Sequence, residues 1–207
     1  MSFRKEEKII LSSVNYIKIK NLIKKFDGKS IYPKRIIKSI YFENSENQMY
    51  KDSEEGVVPR KKIRLRTYPE KKIDSWSLEY KINSAEGKFK RALKVNSAIF
   101  EKYLQKGVYD KIYGNCFPNL VVEYSREYFQ IKDIRITIDQ NIFYKSYISN
   151  KKINKNDKLI IEFKTNNVNK IEMFNGEIPF QFSRMSKYCE AFNELFNPPY
   201  NYRERMV

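Results

Sequence analysis

The sequence contains no histidine. This single absence excludes serine or cysteine triads built on His, His-ligated zinc and phosphohistidine chemistry. Cysteine is nearly absent too: Cys116 and Cys189 are far apart and match no metal or redox spacing. They read as two reduced core thiols of a cytosolic protein. No apolar run approaches the roughly 20 residues of a membrane span. The start, MSFRKEEK, is charged at once and does not read as a secretory signal. The expected location is cytoplasmic, with any link to the inner face of a membrane made through a partner or the basic surface. There is no internal repeat and no low-complexity linker. A single domain over residues 1–207 is expected, long enough to bury a core.

What is present is positive charge. Lys and Arg number 41 against 25 Asp and Glu, a formal net charge of +16. Such an excess favours a polyanionic partner. The stretch RKKIRLRTY, residues 60–68, concentrates it. As a strand it places Arg60, Lys62, Arg64 and Arg66 on one face and Ile63 and Leu65 on the other. Four cations on one side of one strand repel each other unless an anion lies against them.

The same alternation recurs. Strands are predicted at 35–42, 60–67, 76–82, 87–95, 119–131, 134–139 and 159–164, with a further one over 4–10. Helices are predicted at 11–26 with a Ser cap, at 97–107 ended by Gly107, and at 183–196 before Pro198-Pro199. Residues 43–56 read as a polar, turn-rich loop. Residues 60–67 and 76–82 suit a hairpin. In four strands (60–67, 76–82, 134–139 and 159–164) a charged face backs onto an apolar one. A solvated sheet would do the same, but four strands with charged faces, the Arg concentrated in 60–67, fit better a sheet closed with its charges inward and its apolar faces under the helices.

These pieces, taken in order, resemble the VTC domain, the polyphosphate polymerase branch of the triphosphate tunnel metalloenzymes (CYTH-like superfamily). The matching motifs are FRKEEK (3–8), SIYFEN (39–44), RKKIRLRTY (60–68), LEYK (78–81), KFKR (88–91), VVEYSREYF (121–129), RITID (135–139), IIEFK (160–164) and SRMSKY (183–188). The resemblance implies a β-rich α+β fold: a closed antiparallel tunnel barrel of about eight strands, with a charged lumen and helices packed outside.

It also implies roles. Arg64, Arg66, Lys81, Arg126 and Arg135 are the expected catalytic cations. Lys8, Arg60, Lys62, Lys90 and Lys164 are expected to bind the phosphates, with Arg184, Ser186 and Lys187 at the tunnel mouth. Arg suits forked contact with phosphate oxygens and Lys acts as a point charge. Positions i and i+2 on a strand place cations about 6.5–7 Å apart. A divalent metal, Mn2+ or Mg2+, is expected on oxygen ligands, first Glu162 and then Glu6. The superfamily opens with Glu-x-Glu-x-Lys, whereas Arg4 leads the motif here, leaving fewer carboxylates for the metal. Glu79 and Asp139 fit either a salt bridge or a ligand role. Alternation alone would not place Arg126 with the cations, because Leu120, Val122, Tyr124 and Tyr128 share its face; the resemblance places it there.

The activity implied is transfer of the ATP γ-phosphoryl group to a growing polyphosphate chain. The acceptor oxygen is already ionised, so no protein base is required, in keeping with the missing His. Two rivals stand beside it: an inorganic or nucleoside triphosphatase in the same tunnel, and a non-catalytic polyphosphate or polyanion binder. The expected partners are ATP and polyphosphate. No RNA- or DNA-binding motif is found. The 16 Tyr and 14 Phe read mostly as core residues.

Overall fold

Side-chain alternation sets the strands, and the computed structural model follows it closely. The structure describes residues 5–70, 76–174, 176–177 and 181–197. Arg4, the turn residues 71–75 and Pro198-Pro199 lie outside these. The strands are β1 (Lys5–Ser12), β2 (Lys29–Glu43), β3 (Arg60–Thr67), β4 (Trp76–Ser84), β5 (Gly87–Val95), β6 (Val108–Asp110), β7 (Gly114–Ile131), β8 (Ile134–Ser146), β9 (Lys152–Lys155) and β10 (Lys158–Thr165). The helices are α1 (Tyr16–Lys25), α2 (Gln48–Glu55), α3 (Ser97–Lys106) and α4 (Lys187–Phe196), with short 3-10 turns at Ser13–Asn15 and Val168–Phe174.

The ten strands share one sheet. Its order is β1-β10-β8-β7-β2-β3-β4-β5, with β6 beside β7 and β9 beside β8. The registered pairs, from β1–β10 to β4–β5, are antiparallel. Among the described residues the path is open, with β1 and β5 at its ends. No described helix is long and apolar enough to cross a membrane, which says nothing about strands.

The chain packs as two compact units. The first comprises residues 1–36, 124–142 and 154–185; the second comprises 37–123, 143–153 and 186–207. Strands β2, β7 and β8 run through both. The core of the first unit joins Ile19, Leu22 and Ile23 of α1 to Ile134, Ile136 and Ile138 of β8 and to Leu159, Ile161 and Phe163 of β10. The core of the second joins Ile40 and Phe42 of β2, Ile63 and Leu65 of β3, Leu78 of β4 and Met49 of α2. Each such side chain contributes about 1.5–3 kcal/mol when fully buried. These are the odd or even positions that the alternation marks as apolar, so the opposite face of each strand is the charged one.

Two expectations are corrected. Residues 43–56 are not all loop, because Gln48–Glu55 form α2. The helix start lacks the usual Ser, Thr or Asp signal: Asn47 is left-handed and makes no side-chain cap. Instead Asn44 Oδ1 accepts from Gln48 N at 2.9 Å and Glu43 Oε2 from Met49 N at 3.3 Å. The first helix is also shorter than 11–26. Strand β1 runs on to Ser12, and α1 starts at Tyr16 behind Asn15, with no side-chain cap from either residue. Its buried stripe is Ile19, Leu22 and Ile23, leaving Val14 83% and Ile17 67% exposed.

The other helices obey their signals. Asn96 Oδ1 accepts from Ile99 N at 2.9 Å and caps α3. Gly107 ends it at φ +72, where a Cβ would come within 2.5 Å of the Cys116 carbonyl. The last helix begins at Lys187, four residues inside the expected start, with Ser186 as its cap.

Candidate functional site

The charged face of the second unit is built in rows across β2, β3, β4 and β5. Register sets Tyr41 opposite Arg64 and Arg64 opposite Glu79. Ser39 stands opposite Arg66. Lys62 stands opposite Lys81, and Lys81 opposite Lys90. The last row is three like charges abreast, an arrangement that is destabilising by itself.

Glu79 is the anionic centre of this face. Its Oε2 lies 2.8 Å from Arg64 Nε and 3.7 Å from Arg66 Nη1, and its Oε1 lies 2.6 Å from Lys90 Nζ. Burial pushes its carboxyl pKa up, but Arg64, Arg66 and Lys90 overcome that and hold it at about 2. Three cations of β3 also donate to hydroxyls. Arg64 Nη1 donates to Tyr41 Oη at 2.9 Å, Arg66 Nε to Ser39 Oγ at 3.2 Å, and Lys62 Nζ to Ser186 Oγ at 2.9 Å. Ser186 also accepts from Cys189 N at 3.5 Å, so the α4 cap doubles as a lysine anchor. Tyr41 and Tyr188 stack with ring centroids 4.9 Å apart, and Lys62 lies 5.1 Å from the Tyr188 centroid.

The first unit carries its own charged face on β1, β10, β8 and the end of β7. Register sets Glu6 opposite Lys164 and Lys164 opposite Arg135. Lys8 lies opposite Glu162, and Glu162 opposite Thr137. Arg126 holds Asp139 at two points, 2.5 and 2.6 Å, and reaches Glu162 at 3.7 Å. Burial alone would lower the Arg126 pKa; Asp139, Tyr124 and Glu162 outweigh it and raise it. Lys164 Nζ lies 2.9 Å from Glu6 Oε1 and 3.0 Å from Glu162 Oε1. Burial opposes its charge too, and the two carboxylates restore it, raising its pKa. Lys8 Nζ donates to the Met185 carbonyl at 2.9 Å. Arg135 Nε and Thr137 Oγ1 are buried without a hydrogen-bond partner among the described residues.

The structure thus gathers Arg64, Arg66, Lys62, Lys81, Lys90 and Ser186 on one face. It gathers Lys8, Lys164, Arg126, Arg135, Glu6 and Glu162 on the other. Arg60 is turned aside: its Nη1 donates to the carbonyls of Gly56 at 3.1 Å and Val57 at 2.7 Å. Arg184 is exposed just before α4, and Lys187 is half-buried in the first turn of that helix.

Sequence reasoning missed the aromatic component. Tyr124 lies 5.2 Å from the Arg126 guanidinium, and Tyr128 and Tyr32 lie 5.5 and 5.8 Å from that of Arg135. Arg35 sits over the same two rings at 5.1 Å from Tyr32 and 5.7 Å from Tyr128. A signal was available. Ser39 and Tyr41 alternate with Ile40 and Phe42, and Tyr124, Arg126 and Tyr128 alternate with Phe129 and Ile131, so the tyrosines fall on the cation side.

The metal expectation can be tested against the donors. Glu162 and Glu6 flank one ammonium, that of Lys164. Two carboxylates so close are hard oxygen donors of the kind that Mg2+ or Mn2+ takes. Among the described residues no three His, Cys, Asp or Glu side chains converge as a metal site.

A family model described as VTC domain matches residues 3–196. None of the curated proteins compared is similar to the chain. Two solved structures share the fold. A protein of Pyrococcus horikoshii OT3 is 14% identical at a TM-score of 0.53, covering 90% of this chain and 99% of its own. A putative adenylyl cyclase of Hippeastrum, described as having a dominant triphosphatase activity, is 12% identical at a TM-score of 0.55, covering 94% of this chain and 98% of its own.

Proposed function

Because the chain belongs to the VTC domain family, we propose that it is a metal-dependent polyphosphate polymerase acting on ATP. The observation that carries this reading is the row Lys62–Lys81–Lys90 beside Arg64 and Arg66. A chain of phosphoryl groups supplies closely spaced negative oxygens and removes the repulsion within that row. The closed barrel with a charged lumen is part of the same proposal.

In this reading Arg64, Arg66 and Lys81 of one charged face and Arg126 and Arg135 of the other are the catalytic cations. Lys8, Lys62, Lys90, Lys164, Ser186 and Lys187 hold the rest of the chain, with Arg60 and Arg184 at its ends. Glu162 and Glu6 would hold Mn2+ or Mg2+, which when bound neutralises charge on the phosphate oxygens. The terminal oxygen of polyphosphate forms the new P–O bond, and the bond between the γ-phosphorus and its bridging oxygen breaks, releasing ADP. The acceptor is ionised already, so the side chains need only position and neutralise.

The state of Glu79 supports transfer over hydrolysis. A carboxylate held at about 2 by three cations is a poor base for activating water. The test is incubation of the protein with γ-labelled ATP and Mn2+, products resolved on a gel, with Glu162→Ala alongside. A ladder of labelled chains, lost in the variant, is expected. Free orthophosphate without a ladder would replace the polymerase with a triphosphatase. Retention of polyphosphate without any product would leave a binding module.

A further inference from the structure

Tyr41 has a hydroxyl proton with nowhere to go. The residue is 6% exposed. Its oxygen accepts from Arg64 Nη1 at 2.9 Å, and its ring stacks on Tyr188. Among the described residues nothing accepts the hydroxyl hydrogen. A buried hydroxyl that donates to nothing forfeits about 1–3 kcal/mol, and a tyrosine kept only for packing would gain by becoming Phe.

The surroundings state what the missing acceptor is. From β3, Arg64, Arg66 and Lys62 bear on Tyr41. From β4, Glu79 is engaged by Arg64, Arg66 and Lys90. From α4 comes the Tyr188 ring, and from β8 Tyr144, whose hydroxyl is committed to Glu190 at 3.0 Å. On β2 itself, Ser39 is occupied by Arg66. The charges directly around the hydroxyl are therefore cations, and the nearby carboxylate, Glu79, is already shared by two of them and Lys90.

We propose that Tyr41 is a further substrate-binding residue, donating its hydroxyl hydrogen to a phosphoryl oxygen held by Arg64 and Arg66. This inference rests on the proposed function: it concerns the same polyphosphate ligand, and adds a neutral donor to its cationic cradle. The chemistry makes binding depend on the protonated phenol. Burial raises the Tyr41 pKa, but Arg64, Arg66 and Lys62 more than offset that and bring it down to about 8. The proton that the phosphate needs is thus lost within reach of physiological pH. Below about 8 the phenol donates; above it a phenolate both lacks the hydrogen and repels the ligand.

The experiment is calorimetric titration with a medium-length inorganic polyphosphate, whose interior phosphoryl groups do not titrate in this range. For the wild type, linkage to one group near 8 weakens binding about tenfold between about pH 7 and pH 9. Tyr41→Phe should bind about five- to twentyfold more weakly at about pH 7 and change by less than about twofold up to pH 9. A residue that merely supports Arg64 would weaken binding in Tyr41→Phe without flattening the profile. A second measurement needs no variant: near pH 9, binding to the wild type should take up about 0.9 of a proton, read from titrations in two buffers of different ionisation heat. Binding with no proton uptake, or a variant that follows the wild-type profile, overturns the inference and leaves the polyphosphate reading intact. A wild type that binds no polyphosphate at any pH overturns both.

Discussion

Arg126 and Asp139 face each other across β7 and β8 in a fork: Nε to Oδ1 at 2.5 Å and Nη2 to Oδ2 at 2.6 Å, with the Asp139 side chain fully buried. The pair fixes the guanidinium plane, and Glu162 lies 3.7 Å from the same guanidinium. Asp139→Asn keeps the shape and removes the charge. It should lower stability by about 3–5 kcal/mol, measured by urea unfolding, because a buried cation loses its main counter-charge. Arg126→Met together with Asp139→Leu should recover most of that loss yet form no labelled polymer, separating the structural from the functional share of the pair.

Glu162 is the second prediction. Glu162→Gln retains the size of the side chain but offers no charge to Lys164 or to the metal proposed to bind there. ATP turnover should fall by about 100-fold or more. The Mn2+ concentration giving half of the remaining activity should rise. The melting temperature should move little, since the carboxylate leaves its ion pairs at a site where Glu6 still holds Lys164. Full activity at the original Mn2+ concentration would remove Glu162 from the metal.

Glu79 predicts acid sensitivity. Its folded pKa of about 2 lies below the ordinary 4.5. The stability it contributes is therefore complete above about 4.5 and is lost as the pH falls toward 2. The shift corresponds to about 3 kcal/mol. Glu79→Gln should be less stable than the wild type near pH 6, and the difference should shrink on acidification to about pH 3. Thermal melts at a series of pH values measure it.

Glu43 predicts the opposite slope. Burial raises its pKa to about 8, against backbone hydrogen bonds from Met49, Tyr50 and Asn44 that act to lower it. Its folded pKa exceeds the unfolded value, so its contribution is complete below about 4.5 and is lost as the pH rises through 8. Glu43→Gln, which cannot ionise, should melt roughly 3 °C or more above the wild type at pH 7 to 8, with the gap closing near pH 4.5. An unchanged gap over that interval would show that Glu43 folds without taking up a proton.

The sheet was legible because its information is local. In β3 the buried Ile63 and Leu65 alternate with Arg64 and Arg66, and the hairpin with β4 falls into the register that this alternation implies. Helix α2 was not legible, because its end is capped from a distance by Asn44 and Glu43 rather than by the residue beside it. Helix α1 was misplaced because Val14 and Ile17 look like part of an apolar stripe but stay in solvent. Alternation shows which cations of β3 share a face, and it does not show their partners. That Asp139 locks Arg126, that Lys164 lies between Glu6 and Glu162, and that Arg60 turns to two carbonyls depend on side-chain conformation, which alternation does not encode.

The length of β7 has a consequence for how this chain can change. Residues 114–131 form one uninterrupted strand whose neighbours set Arg126 among the cations and send Glu127 to the helix side, where it meets Tyr16 and Lys20. Deleting one residue upstream within that strand would not simply shorten it. It would exchange the two faces for every position beyond the cut, presenting Glu127 to the cationic side and turning Arg126 toward α1. Insertion or loss of a single residue should therefore be tolerated in the turns that flank β7 and not within it.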